Sequence, residues 1–203
     1  MSLEPQRIEF ELILLKAQRR IINFAESHGW KALTSDSFFD CAEIYDTKES
    51  FDKALVTITD MAEHEFPKTY SAALENRVLM AVSPDIYSEN YPEGIEPNSY
   101  EKLLAHEIAH RLHIRVLNGN EEAMGPIWFY EGFAIYAADQ FEECTYDLRV
   151  SEIREVLASE DRGSYRKYAS VFKFFAEKTP IGELIEQASK KDFSIWLSSL
   201  VSP

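Results

Sequence analysis

Residues 98–140, NSYEKLLAHEIAHRLHIRVLNGNEEAMGPIWFYEGFAIYAADQ, decide the predicted fold because they encode two helices joined by a short loop. Asn98 and Glu101 form an N-capping pattern at the start of the first helix, and residues 118–120 (NGN) end it. Residues 125–126 (GP) precede the second helix, since proline is common at a first helical position. A short connection allows the two helices to pack antiparallel.

The first of these helices contains the sequence HEIAH at residues 106–110. Side chains four residues apart share one face of a helix, so His106 and His110 can bind the same metal ion. Glu107 lies beside this pair, where a carboxylate can accept a proton from a metal-activated water molecule. This pattern is typical of zinc hydrolases, but it is short, so its interpretation depends on the surrounding sequence.

A catalytic zinc site usually has three protein ligands and one open position. His113 follows His106 by seven residues, about 10.5 Å along a helix, so we expect it to pack in the interior or behind the ligands. Glu131 is the better third ligand. Aromatic residues flank it in residues 128–134 (WFYEGFA), and a buried carboxylate is costly unless it is paired or bound to metal. The alternative is an exposed Glu131 on an otherwise buried helix.

Residues 106–110 (HEIAH) and 128–138 (WFYEGFAIYAA) together resemble the gluzincin zinc metallopeptidases, and most closely their compact peptidase MA-like domains. The resemblance is close over residues 98–140 and looser to about residue 190. It implies a zincin-like catalytic domain that binds Zn²⁺ and hydrolyses a peptide or protein substrate, with Glu107 as the general base. The zinc ligands that it implies are His106, His110 and Glu131.

The same resemblance implies a tyrosine that donates a hydrogen bond to the oxyanion formed during hydrolysis. Residues 164–171 (SYRKYASV) are similar to the Y-x-K-G segment of the family, with Tyr165 in the tyrosine position. Tyr168 is the second candidate. Both tyrosines also belong to an apolar stripe with helical spacing, so either one can instead be a core residue.

Two other functions stay open at this point. Residues 72–76 (AALEN) resemble the segment with which gluzincin aminopeptidases hold the substrate α-amine, which implies an aminopeptidase that uses Glu75. The other alternative is a non-catalytic zinc-binding interaction module, which would need the metal ligands but not Glu107. For a peptidase, the strand predicted over residues 77–82 is a candidate edge for pairing with an extended peptide.

The hydrophobic pattern of the whole chain predicts the α+β class. We expect one domain over residues 1–203, with a small mixed α/β lobe at about 1–97 and a mainly helical lobe at about 98–203. The elements predicted for the first lobe are a helix at 7–27, a strand at 38–45, a helix at 49–63, a strand at 77–82 and a connection at 85–98. Further helices are predicted at 146–158, 164–178, 181–189 and 192–200.

The composition is that of an ordinary globular protein: 203 residues, of which 45% are hydrophobic and 28% charged. The formal net charge of −14 disfavours binding to nucleic acid or to anionic membranes. Cys41 and Cys144 form no CxxC pair, so no zinc-thiolate or redox motif is indicated. One disulfide between them is possible, and free buried thiols are the expected state.

The sequence predicts neither a membrane span nor a secretory signal. Its longest apolar run near the start, at residues 12–15, is far shorter than the roughly 18 residues that a span needs, and Glu4, Glu9 and Glu11 precede it. A cytoplasmic location is therefore the default expectation. Residues 1–3 (MSL) are compatible with an expression remnant in place of a native leader. The oligomeric state stays open.

Overall fold

The computed structural model describes residues 7–59, 66–142 and 148–201. In these residues the chain forms helices and one three-stranded sheet, so the predicted α+β class with a mainly helical second half is confirmed. The helices are α1 (Arg7–Ser27), α2 (Lys48–Thr59), α3 (Pro84–Asn90), α4 (Ser99–Val116), α5 (Ile127–Ala137), α6 (Val150–Ala158), α7 (Tyr165–Ala176), α8 (Ile181–Ala188) and α9 (Phe193–Leu200). The strands are β1 (Cys41–Tyr45), β2 (Ala72–Glu75) and β3 (Val78–Val82).

The sheet has the strand order β1-β3-β2, with β1 parallel and β2 antiparallel to β3. The two-residue connection between β2 and β3 consists of Asn76 and Arg77, which both have positive φ angles, as a tight hairpin turn requires. The prediction that residues 77–82 form an edge is wrong, because β3 pairs on both sides. The edges of this sheet are β1 and β2, and the sequence pattern predicted no strand over the residues of β2.

Helix α4 lies at the centre of the core and packs against α1, α5 and β2. The fully buried residues of α1 are Ala17, Ile21 and Ala25. Helix α5 is buried around most of its circumference, as expected for a helix inside a core. A Cβ atom on Gly132 would lie 2.9 Å from the Cβ of Phe172, so glycine allows α5 and α7 to pack closely.

Several local features differ from the sequence predictions. The connection at 85–98 contains α3 and a 3-10 turn at Pro92–Gly94. Asn98 has a φ of 59° and makes no side-chain capping bond, while Glu101 accepts hydrogen bonds from Arg20. Cys41 is a free, exposed thiol, so the buried thiol predicted there is wrong; Cys144 lies outside the described residues.

The helix bounds otherwise follow the predictions closely. Helices α1, α7, α8 and α9 begin and end within two residues of the predicted positions. Helix α2 corresponds to the helix predicted at 49–63, of which residues 60–63 lie outside the described residues. Helix α6 corresponds to the helix predicted at 146–158 and begins at residue 150. Among the described residues, every helix is too short or too polar to cross a membrane.

Candidate metal centre

Three side chains predicted to bind zinc converge in the structure. Helix α4 presents His106 and His110 from consecutive turns, and α5 presents Glu131 from the opposite side. The Nε2 atom of His106 lies 3.0 Å from the Nε2 atom of His110 and 3.1 Å from Oε2 of Glu131. The Nε2 atom of His110 lies 3.8 Å from the same carboxylate oxygen. His106 and Glu131 are buried, so the predicted burial of this carboxylate holds and the exposed alternative does not.

These distances fit a metal ion. In a tetrahedral zinc site with bonds of about 2.0–2.1 Å, two ligand atoms lie about 3.3–3.4 Å apart. This separation lies within the range of the three distances between Nε2 of His106, Nε2 of His110 and Oε2 of Glu131, which are 3.0, 3.1 and 3.8 Å. Two imidazoles and one carboxylate are also a donor set that zinc accepts well. His106, His110 and Glu131 could therefore hold a divalent ion.

The electrostatics of the three groups are strongly coupled. Burial raises the pKa of Glu131, but the hydrogen bond from His106 and the neighbouring positive charges outweigh it and lower this pKa to about 2. Burial alone would lower the pKa of His106, yet its bond to Glu131 raises it. Burial, reinforced by His106, lowers the pKa of His110 to about 3. A bound ion would take the place of a proton shared between His106 and Glu131.

Glu107 lies beside this cluster and faces two adjoining cavities of about 320 and 220 Å³. Both cavities are also lined by His106, Tyr70, Arg162 and Tyr165. Burial raises the pKa of Glu107 to about 8, which brings it near the pH at which a general base works best. A larger and more open groove of about 910 Å³, between α1 and β1, holds none of the predicted site residues.

The structure separates the two candidate tyrosines. The ring of Tyr165 stacks on His106 with 6.0 Å between centroids, and its side chain lines both cavities. Tyr168 is buried in the core, lines neither cavity, and its hydroxyl donates to the carbonyl of Asp161. The backbone N–H of Gly163 donates to the same hydroxyl. Tyr165 therefore lies at the candidate centre, whereas Tyr168 anchors the preceding loop.

Gln140 contacts the centre and was not predicted from the sequence. Its Oε1 atom lies 2.8 Å from Nδ1 of His106, which leaves Nε2 of that ring free to face Glu131. The residues on either side, Asp139 and Phe141, have φ angles of 54° and 58°, a conformation uncommon for residues with side chains. An ion pair from Arg20 to Asp139 is one of the contacts that hold this turn.

Arg162 also contacts the centre and was not predicted from the sequence. Its Nη2 atom lies 3.0 Å from Oε1 of Glu131, the oxygen that does not face the histidines, and its Nη1 donates to the hydroxyl of Tyr165 at 2.5 Å. Neither Arg162 nor Gln140 belongs to a motif with fixed spacing. The only available signal was that a buried Glu131 requires polar partners.

Two further residues named by the sequence analysis lie near the centre. His113 is fully buried with its ring 4.5 Å from that of Phe133, so the packed position predicted for it is confirmed. Neither of its ring nitrogens has a hydrogen-bond partner in the described ranges, and burial lowers its pKa to about 3. Glu75, at the end of β2, lines the smaller cavity together with Glu107 and His110.

Comparisons of the chain with models of protein families, with curated proteins and with solved structures found no match. The gluzincin resemblance therefore rests on the motif residues alone. Within the described ranges, a single group of three or more potential ligands has donor atoms within 4.8 Å of one another. That group consists of His106, His110 and Glu131.

Proposed function

We propose that this protein is a zinc-dependent metallopeptidase of the gluzincin type, which hydrolyses peptide bonds with a glutamate general base. The observation that supports this proposal best is the convergence of His106, His110 and Glu131 next to a cavity that Glu107 also lines. A structural metal site needs the three ligands alone. A carboxylate beside the ligands, facing an accessible cavity, is what a hydrolase requires in addition.

Each side chain of the centre has a proposed role. A bound zinc ion would polarise the scissile carbonyl and lower the pKa of a water molecule. Glu107 accepts the proton of the attacking water and passes it to the leaving amine. The hydroxyl of Tyr165 accepts a hydrogen bond from Arg162, so its own proton is available to donate to the developing oxyanion. Gln140 orients the ring of His106.

The substrate would bind along β2 rather than along β3. Strand β2 is an edge of the sheet, and its residues Ala72 and Leu74 line the two cavities. An extended peptide could add to this edge by main-chain hydrogen bonds, with one side chain entering the 320 Å³ cavity. This interpretation replaces the pairing with residues 77–82 that the sequence suggested.

The experiment that tests the proposal is cleavage of a diverse peptide library by wild type and by Glu107→Gln, with the zinc content of both measured. We expect zinc in both proteins and cleavage by wild type alone, because the substitution removes the base and leaves the ligands. The matched control is Glu186→Gln on the exposed side of α8, which should cleave like wild type. Equal zinc without cleavage by either protein would favour the non-catalytic binding module instead.

An aminopeptidase is the second candidate function, favoured by the position of Glu75. This carboxylate lies in the same cavity as Glu107 and His110, where it could hold a substrate α-amine. Comparing peptides with free and with blocked N-termini separates the two functions. The aminopeptidase is supported if Glu75→Ala abolishes cleavage of peptides with a free N-terminus and leaves cleavage of N-terminally blocked peptides unchanged. An equal effect of Glu75→Ala on the cleavage of both kinds of peptide contradicts the aminopeptidase.

A further inference from the structure

The turn that follows α5 places Gln140 beside His106. The N–H of Asp139 donates to the carbonyl of Tyr136, and the N–H of Gln140 donates to the carbonyl of Ile135. This pair of bonds is the Schellman pattern that ends many helices, and Asp139 has the positive φ angle that the pattern requires. Helix α5 therefore fixes the backbone of the turn as far as the N–H of Gln140.

On the other side of Gln140, the backbone needs a further contact. Phe141 has a φ angle of 58°, which is uncommon for a bulky residue and persists only where the surrounding structure holds it. The N–H of Phe141 donates to Oε1 of Glu96 at 2.9 Å. A hydrogen bond to a carboxylate is among the stronger ones, so Glu96 holds the chain directly after Gln140.

Glu96 is in turn paired with the helix that carries His106. Its Oε2 atom lies 3.2 Å from Nζ of Lys102, and the two side chains are only 15% and 8% exposed. Lys102 precedes His106 by four residues on α4, so both side chains lie on one face of this helix. One carboxylate thus links α4 to the backbone beside Gln140, whose Oε1 lies 2.8 Å from Nδ1 of His106.

The second contact of the turn is weaker. Arg20 forms an ion pair with Asp139, but the side chain of Asp139 is 50% exposed, and ion pairs in water contribute little. We propose that Glu96 is a positioning residue of the candidate metal centre, which holds Gln140 against His106 through the N–H of Phe141. This inference rests on the zinc site of the proposed function, but not on the hydrolysis of peptides.

Two double variants isolate the acceptor for the N–H of Phe141. Both contain Lys102→Met, so that no unpaired ammonium group is left buried. The amide variant, Glu96→Gln with Lys102→Met, keeps an oxygen acceptor, and the leucine variant, Glu96→Leu with Lys102→Met, has none. In competition with a chromophoric chelator, the leucine variant should bind zinc roughly 10-fold more weakly than wild type, and the amide variant should stay close to wild type. Equal affinities of the two variants would overturn the proposal.

Repeating the comparison with Gln140→Leu present separates positioning from a general loss of structure. If Glu96 acts through Gln140, the amide and leucine variants should now bind zinc equally, because no amide is left to position. A 10-fold difference that persists in this background would mean that Glu96 only stabilises the fold, and it would contradict the proposed role. Circular dichroism reports whether each variant has folded. If the leucine variant does not fold, Glu96→Asp keeps the charge beside Lys102, withdraws the acceptor and should weaken zinc binding in its place.

Nuclear magnetic resonance of the zinc-free protein gives a measurement that does not depend on metal. The bond to Gln140 should protect the Nδ1 proton of His106 from exchange with water in wild type and in the amide variant. In the leucine variant this protection should be lost, and equal protection in all three proteins would overturn the proposal. A wild type that binds no zinc would contradict the proposed function instead, while the exchange of this proton would still decide the role of Glu96.

Discussion

The two sides of the candidate metal centre are built from different kinds of backbone. On one side, α4 and α5 present His106, His110 and Glu131 in regular helical geometry. On the other side, two irregular segments outside these helices supply Gln140 and Arg162. The helices determine which donor atoms meet, and the irregular segments determine how these atoms are oriented.

The two sides also differ in what holds them in place. Along α4 and α5, the hydrogen bonds of the helices and a buried core fix the positions of His106, His110 and Glu131. The turn around Gln140 has two residues with positive φ, and it is held by long-range contacts such as the bond from the N–H of Phe141 to Glu96. If the centre binds zinc as proposed, changes on the helical side should abolish zinc binding, and changes on the other side should lower the zinc affinity.

The largest expected effect is the loss of a ligand on the helical side. Glu131→Gln replaces the carboxylate by a neutral amide, so the zinc affinity should fall by more than the roughly 100-fold that loss of an outer hydrogen-bond partner can cause. Competition with a chromophoric chelator measures this affinity, and Glu186→Gln serves as the control. An affinity within a few fold of wild type would exclude Glu131 as a ligand.

The next effect concerns Tyr165, the first residue of α7, which follows the irregular segment that supplies Arg162. If its hydroxyl stabilises the oxyanion, Tyr165→Phe should lower kcat roughly 10²- to 10³-fold while the zinc content stays unchanged. Tyr168→Phe is the matched control, because the Tyr168 hydroxyl bonds only to the loop before α7 among its described contacts. Tyr168→Phe should lower the melting temperature and leave kcat nearly unchanged. The reverse outcome would assign the catalytic role to Tyr168.

A smaller effect is expected at Gln140. Gln140→Leu removes the acceptor for Nδ1 of His106, so the zinc affinity should fall roughly 10- to 100-fold. Gln140→Glu keeps an acceptor at this position and should retain most of the affinity. Gln187→Leu on α8 makes the same replacement away from the centre and serves as control. Equal affinity of Gln140→Leu and wild type would mean that this hydrogen bond does not support the ligand.

The smallest effect concerns the stability of the fold instead of the zinc affinity. Within the described part of the chain, neither buried ring nitrogen of His113 has a hydrogen-bond partner, so His113→Phe should raise the free energy of unfolding at pH 7 by roughly 1–3 kcal/mol. The folded pKa of about 3 lies below the ordinary 6.5, so the unfolded chain binds more protons between these values.

The pH dependence of unfolding in urea checks the role of His113. As the pH falls from 6.5 towards 3, wild type should lose stability relative to His113→Phe by up to about 1.4 kcal/mol per pH unit. Above pH 7 the difference between the two proteins should be constant. A difference that does not grow at low pH would show that His113 titrates normally and is not buried as described.

The sequence predicted the helical side of the centre because helical spacing alone brings His106 and His110 together. It did not predict Gln140 or Arg162, because their positions depend on contacts between residues far apart in the chain, such as Arg20 with Asp139. Strand β2 was missed because its four residues carry no alternating pattern.

Helix α1 illustrates a second limit. Its bounds follow from its apolar spacing, but the helix is apolar on two faces. The large side chains at Ile8 and Leu12 are exposed, and the small ones at Ala17 and Ala25 are buried. Which face packs on the core depends on how closely α1 and α4 approach each other, and this distance is a property of the partner helix as well as of α1.

Two histidines and one glutamate are proposed to bind one zinc ion, and zinc K-edge X-ray absorption of the protein loaded with one equivalent of zinc tests this binding directly. We expect a shell of nitrogen and oxygen atoms at about 2.0–2.1 Å that includes two imidazoles. Failure to retain one equivalent of zinc would contradict the proposed zinc site. A sulfur neighbour at about 2.3 Å, or a shell with fewer than two imidazoles, would contradict it equally.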